Sequence, residues 1–303
     1  MQLQVNKALI QAFEQQLDPL DVEASGIPAR LLGFGEISCI IELEAMPGVV
    51  LKRMPLFRTH AQAADYLDKY RTYCRLLQEA GLALPADEAV IVDGRDGLVV
   101  LYFLQEKLDL DTIGNRQLDR LDEAGLRRML LAVVEAIEGV WAFNARQDRY
   151  RLALDAQLSN WAWQPDEGRL LYLDTSTPLF RIDGVEQLDP ELLLASAPGF
   201  ARAIIRAFFL DDVMNRYYDA HAVYVDLVAN LYKEKHPELI PLCVQLINER
   251  TGQGLTEKEI ADYYREDKFI WSLFLAMRRL DRWLHRHVWR RQYQFILPGR
   301  IER

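Results

Sequence analysis

The feature that most constrains the fold is a change of pattern near Leu108. Strand-like runs and turns dominate the chain before it, and helical periodicity dominates the chain after it. Ahead of Leu108, ARLLGFGEISCIIEL and VVLKRM lie around a turn at Pro47 and Gly48, and EAVIVD and GLVVLYFL lie around a turn between Gly94 and Gly97. Both arrangements are hairpin signals. Between them, residues 59–80 carry Ala63, Leu67, Tyr70, Cys74 and Leu77 at helical spacing and stop at Gly81. The predicted order is β-β-α-β-β, with a further strand near Ala29 and a short flanking helix over residues 4–17. Behind Leu108 the periodicity predicts a long helix over 117–143 and further helices over 190–209, 211–233, 237–249, 256–264 and 267–293. One stretch interrupts them: NWAWQ and RLLYL flank the turn residues 165–168, a small hairpin whose ends carry polar residues.

With 303 residues, half of them hydrophobic, the chain has enough apolar surface for a sizeable core. Cys39, Cys74 and Cys243 are far apart in apolar surroundings and form no CxxC or Cys/His cluster, so neither a disulfide framework nor a zinc site is expected. There is no signal-peptide pattern and no apolar run of the roughly 20 residues that span a bilayer, which makes a reducing cytoplasm the expected location. The net charge of −9 is uneven: in residues 278–303 eight arginines face Asp281 and Glu302, giving +6 there and −15 elsewhere. An acidic body argues against a general nucleic-acid binder.

Four polar features recur in a chemically meaningful order: the bend Gly33-Phe34-Gly35-Glu36-Ile37-Ser38, the strand residue Lys52, the pair Asp155 and Asn160 five residues apart, and Asp174 at a strand end. Singly, each has a plainer reading. A Gly-x-Gly pair marks ordinary turns, a strand lysine can be a solubilising charge, Asp155 and Asn160 can be turn and cap residues, and Asp174 before Thr-Ser-Thr-Pro can start a helix. Read together, they resemble the protein-kinase superfamily, and its aminoglycoside and choline kinase-like small-molecule phosphotransferases more than eukaryotic protein kinases.

That resemblance implies an α+β, two-lobed protein-kinase-like fold. Its small antiparallel N-lobe with one helix would span residues 1–107, and its larger helical C-lobe residues 108–303. It implies an ATP-dependent phosphotransferase acting on a hydroxyl of a small-molecule acceptor, with ATP and Mg2+ as cofactors. Lys52 would hold the phosphates, Asp155 would serve as base, Asn160 and Asp174 would bind the metal, and Gly33, Gly35 and Ser38 would cover the phosphates. Gln105, Glu106 and Lys107, after the strand GLVVLYFL, would offer backbone groups to adenine. The pattern also departs from the family. Ser38 replaces the third glycine, Ala153 stands where a His or Arg is usual, and residues 59–76 contain no Glu. Asp65 or Asp68 would then have to approach Lys52, or both are solvated charges opposite a face of Tyr66, Tyr70 and Tyr73.

Two other readings follow from these departures and from the arginine-rich end. One is a catalytically weak or inactive pseudokinase or nucleotide-binding module. The other is a helical protein that meets polyanions through its basic last helix. For that helix, the pattern favours packing of Leu280, Trp283, Leu284 and Val288 onto the lobe. His221, between Tyr217 and Tyr224 on one predicted helix face, reads as a core histidine rather than an acceptor contact.

Overall fold

The computed structural model describes residues 3–34, 38–189, 192, 194, 199, 202, 214–288 and 293–297. The first half builds a five-stranded antiparallel sheet in the order β1-β2-β3-β5-β4. Its strands are β1 (Ala29–Phe34), β2 (Cys39–Leu43), β3 (Val49–Phe57), β4 (Asp87–Asp93) and β5 (Val99–Glu106). Lys52 on β3 pairs with Ile40 on β2 and Phe103 on β5, so strand alternation puts these three on one face and Leu51 and Arg53 on the other. Pro55, which has no N–H to donate, lies where the β3–β5 register shifts between Met54 and Phe57.

Helix α1 (Lys7–Gln16) and helix α2 (His60–Glu79) cover opposite faces of this sheet. Ile10 and Phe13 of α1 share an apolar cluster with Cys39, Ile41, Leu51, Val100, Tyr102 and Leu104. Tyr66, Leu67, Tyr70 and Leu77 of α2 join Met54, Leu101 and Phe103 in a second cluster that runs on into the helical half. The leading helix is therefore a structural layer. Its Glu14 forms a two-point ion pair with Arg53, at 2.7 Å for each contact, and both side chains are buried. Tyr102 Oη donates to Glu14 at 2.5 Å, and Arg53 also donates to the carbonyl of Gln294 at 2.8 Å. Residues near the C-terminus thus return to the sheet, and Ile296 joins the α1 cluster.

The second half is mainly helical: α3 (Gly114–Gln117), α4 (Glu123–Ala145), α5 (Ala220–Lys233), α6 (Ile240–Thr251) and α7 (Glu257–His287). Short strands interrupt it, with β6 (Tyr150–Leu152) in a three-stranded sheet with β9 (Phe180–Ile182) and β10 (Val185–Glu186), and β7 (Trp161–Gln164) paired with β8 (Arg169–Tyr172). The expected architecture, a small antiparallel sheet with one inner helix followed by a helical lobe, is the one observed. No described helix is long and apolar enough to cross a membrane. All three cysteines are buried and free.

Several expectations are corrected. The long helix predicted over 117–143 starts at Glu123, because Asp122 caps it by accepting from the Gly125 N–H, and α3 is a separate turn before it. The helix predicted over 211–233 is interrupted in its described part: residues 214–216 are helical, a turn follows at Tyr217 and Tyr218, and α5 then begins at Ala220 behind the cap Asp219. The two helices predicted over 256–264 and 267–293 are one, α7, since nothing between them breaks helical hydrogen bonding. The helix predicted over 190–209 lies largely outside the described residues. His221 is not a core residue: it is 37% exposed and bonds Glu259 across α5 and α7 at 2.8 Å. That carboxylate raises the imidazole pKa.

Candidate active site

The polar residues singled out from the sequence converge between the sheet and the helical lobe. Lys52 Nζ, pointing from the inner face of β3, donates to Asp174 Oδ1 at 2.6 Å, and each side chain is about one-fifth exposed. Asp174 follows β8, and backbone bonds fix its position: Leu173 N–H donates to the Asn160 carbonyl at 2.8 Å and Thr175 N–H to the Leu173 carbonyl at 3.0 Å. Asn160 in turn donates its side-chain amide to the Asp155 carbonyl at 3.2 Å. The Asp155 carboxylate accepts the Gln157 N–H at 3.1 Å, the geometry of an Asx-turn. Lys52, Asp155, Asn160 and Asp174 therefore belong to one bonded network.

The loop is placed by close backbone contact. A Cβ on Gly114 would lie 2.5 Å from the Leu158 carbonyl oxygen, so only glycine lets α3 sit against the loop carrying Asp155 and Asn160. Trp161 Nε1 donates to the Ala156 carbonyl at 3.0 Å and Tyr172 Oη to the Asp155 carbonyl at 3.3 Å, which pins the loop to the β7–β8 hairpin.

The inner helix contributes tyrosines to the site. Tyr66 Oη donates to the Ser176 carbonyl at 2.9 Å and Tyr73 Oη to the Ala153 carbonyl at 2.7 Å, so α2 holds the segments after Asp174 and before Asp155. Burial pushes the Tyr66 phenol pKa up, and the nearby Asp174 charge pushes it further. Asp65 and Asp68 do not reach Lys52: Asp65 pairs with Lys69 at 2.7 Å and Asp68 with Arg71 at 3.8 Å on the solvent side. An acid at either position is one residue or more out of phase with the buried face set by Tyr66, Tyr70 and Tyr73.

Gln105 lies at the end of β5, and its side-chain amide donates to the Leu173 carbonyl at 3.0 Å and to Thr175 Oγ1 at 3.2 Å. The backbone N–H groups of Glu106 and Lys107 donate to the carbonyls of Ala86 and Gly48, each at 2.9 Å. The Lys107 ammonium bonds Glu42, which also takes Arg30 at 2.5 Å. These two cations hold the Glu42 carboxyl below its usual pKa. Gly33 pairs with Ile40 across β1 and β2, and Ser38 is buried at 8% exposure. Gly35 lies outside the described residues.

Sequence reading missed a second polar group beside Asp155. Asp226 on α5 accepts from Tyr263 Oη of α7 at 2.9 Å, and Lys233 Nζ donates to Gln157 Oε1 at 3.3 Å. Burial pushes the Asp226 carboxyl up to about 6, against the lowering effect of the Tyr263 hydrogen bond. The available signal was an acid inside the apolar run AVYVDLVANL.

A family model described as "Family of unknown function (DUF6206)" matches residues 22–282. No curated protein matches the chain. Among solved structures, the GDP and kanamycin complex of APH(2")-IIia aligns over 82% of this chain and 100% of that one, at 13% identity and a TM-score of 0.37.

Proposed function

We propose that this chain, which belongs to the family of unknown function DUF6206, is an ATP-dependent phosphotransferase that acts on a hydroxyl of a small-molecule acceptor in the cleft between sheet and helical lobe. The observation that carries this reading is the 2.6 Å contact of Lys52 with Asp174, in one network with Asn160 and Asp155. Phosphoryl transfer asks a protein for positioned cations, metal-binding oxygens and a base for the acceptor proton, and these residue types supply each of them.

The donor set fits Mg2+. Asn160 commits its amide nitrogen to the Asp155 carbonyl and so presents its oxygen, which with the Asp174 carboxylate makes two hard oxygen ligands. Among the described residues no group of three or more His, Cys, Asp or Glu side chains could hold a metal ion. The rest of the ion's shell would come from water and phosphate oxygens. When bound, the metal would neutralise phosphate charge. Lys52 would hold phosphate oxygens, and the Asp155 carboxylate would accept the acceptor's hydroxyl proton. Gly33, Gly35 and Ser38 would close over the phosphates. Gln105 and Lys107 would line the base end through side chains and carbonyls, since the Glu106 and Lys107 N–H groups already have acceptors. The reaction would take place in a cytoplasmic compartment.

The test is thermal unfolding with and without ATP and Mg2+, because a ligand that binds only the folded state raises the midpoint. A magnesium-dependent rise that shrinks in Asp174→Asn supports the cleft, and no shift at millimolar ATP overturns it. One observation favours a second reading, a nucleotide-binding module with little turnover: Lys52 takes its partner from the metal-binding position itself, while α2 offers Tyr66 and no acid. In that case ATP shifts the midpoint while phosphate release from ATP stays at background across an acceptor screen.

A further inference from the structure

Helix α7 is apolar on two opposite faces, and among the described residues only one is covered. Phe274, Leu275, Arg278 and Asp281 face inward: Leu275 is 8% exposed, Arg278 2% and Asp281 7%, and Arg278 lies over the rings of Phe274 and Phe295. The expectation that Leu280, Trp283 and Val288 pack onto the lobe fails, because they are 47%, 53% and 55% exposed. With Phe269 at 70%, Leu273 at 47% and the exposed Ala276, Leu280 and Trp283 mark an outward stripe. Its members Phe269, Leu273, Ala276, Leu280 and Trp283 are spaced alternately four and three residues apart. That is the core spacing of a coiled coil, on a face opposite the helix's own packing surface.

We propose that a second copy of this chain covers the stripe, with the two α7 helices antiparallel and crossing at Ala276. Charge and size select this partner and this direction. Ala276 is seven residues from both Phe269 and Trp283 and ten from both Glu266 and Arg286. A twofold axis through it sets each copy's Phe269 against the other's Trp283 and each Glu266 against the other's Arg286, while the small alanine lets the helices approach at the centre. The helix is acidic in its first turn, with Glu257 and Glu259, and basic in its last, with His285, Arg286 and His287. Antiparallel pairing therefore matches opposite charges and opposed helix dipoles, whereas parallel pairing stacks like ends.

The test is sedimentation velocity of the full chain, with charge-reversed variants to read direction. The wild type is expected to dimerise at micromolar concentration and Leu280→Glu to be monomeric, with a thermal midpoint equal to that of the wild type diluted below its dimerisation range. Glu266→Arg and Arg286→Glu should each weaken dimerisation about tenfold, and the double reversal should restore it. Because the native cysteines are buried, Ala276→Cys should cross-link across the pair on oxidation, a readout independent of folding losses. A monomeric wild type overturns the proposal, and so does a dimer indifferent to Leu280→Glu. Binding of the monomer to phosphatidylserine vesicles or to RNA that is lost in Leu280→Glu assigns the stripe to that surface instead.

Discussion

Lys52 and Asp174 are 122 residues apart in the chain and 2.6 Å apart in space, and this contact ties the third strand of the sheet to the end of the β7–β8 hairpin. At about one-fifth exposure for each side chain, the pair holds geometry more than it adds stability. We predict that Lys52→Met and Asp174→Asn each lower stability by about 1 kcal/mol or less in urea titration. Under the proposed function each lowers ATP-dependent transfer by about 100- to 1,000-fold. Singles that stay within a factor of about three of the wild type would remove both residues from the mechanism.

Behind Lys52, Arg53 points the other way into a buried pair with Glu14, which also accepts from Tyr102. Truncating one partner strands a charge under α1, so Glu14→Leu or Arg53→Leu should cost about 3–5 kcal/mol. The double variant Glu14→Leu/Arg53→Leu leaves no orphan charge and should regain most of that loss, except for the bond from Arg53 to the Gln294 carbonyl. A double variant as unstable as the sum of the singles would show that the pair is not the coupled unit its geometry describes.

Two buried groups near Asp174 predict opposite outcomes. Ser176 Oγ is buried with no hydrogen-bond partner among the described residues, while the Ser176 carbonyl accepts from Tyr66 Oη. Ser176→Ala removes an unsatisfied hydroxyl and should be neutral or stabilising by up to about 1 kcal/mol. Tyr66→Phe strands a buried carbonyl and should cost about 1–2 kcal/mol. Chemical denaturation of both variants decides it, and a destabilised Ser176→Ala would mean that the hydroxyl has a partner.

The elements that alternate or repeat cleanly were legible in the sequence. The five strands follow short apolar runs bounded by turn residues, as strands covered on both faces do, and α2 follows its tyrosine face, because burial of one helix face imposes that spacing. The order of Lys52, Asp155, Asn160 and Asp174 was also legible, since Asp155, Asn160 and Asp174 sit in loops or at element ends where turn chemistry fixes their positions and Lys52 is a lone cation inside an apolar strand. Long-range partners were not. That Arg53 meets Glu14 and Gln294, or that Asp226 lies beside Gln157, depends on how elements dock, and local spacing carries no record of it. The α7 stripes misled for a related reason: both faces are apolar, so periodicity cannot say which one the chain itself covers. The three-residue strands β6 and β9 are too short to show any period.

Asp226 supplies a pH signature beside the candidate base. Burial raises its folded pKa to about 6 from the usual 3.8, so the folded state favours the protonated carboxyl more than the unfolded chain does. The stabilising contribution is fully present below the unfolded pKa and is lost as pH rises through about 6. At neutral pH the ionised group should therefore destabilise the protein by about 3 kcal/mol, an order-of-magnitude figure from the shift. Asp226→Asn still accepts the Tyr263 hydroxyl and carries no charge, so it should be more stable than the wild type at pH 7.5 and approach it at pH 4. Denaturant titrations across that range read the difference directly. A gap that stays constant with pH would mean that Asp226 ionises in the folded protein as it does in the unfolded chain.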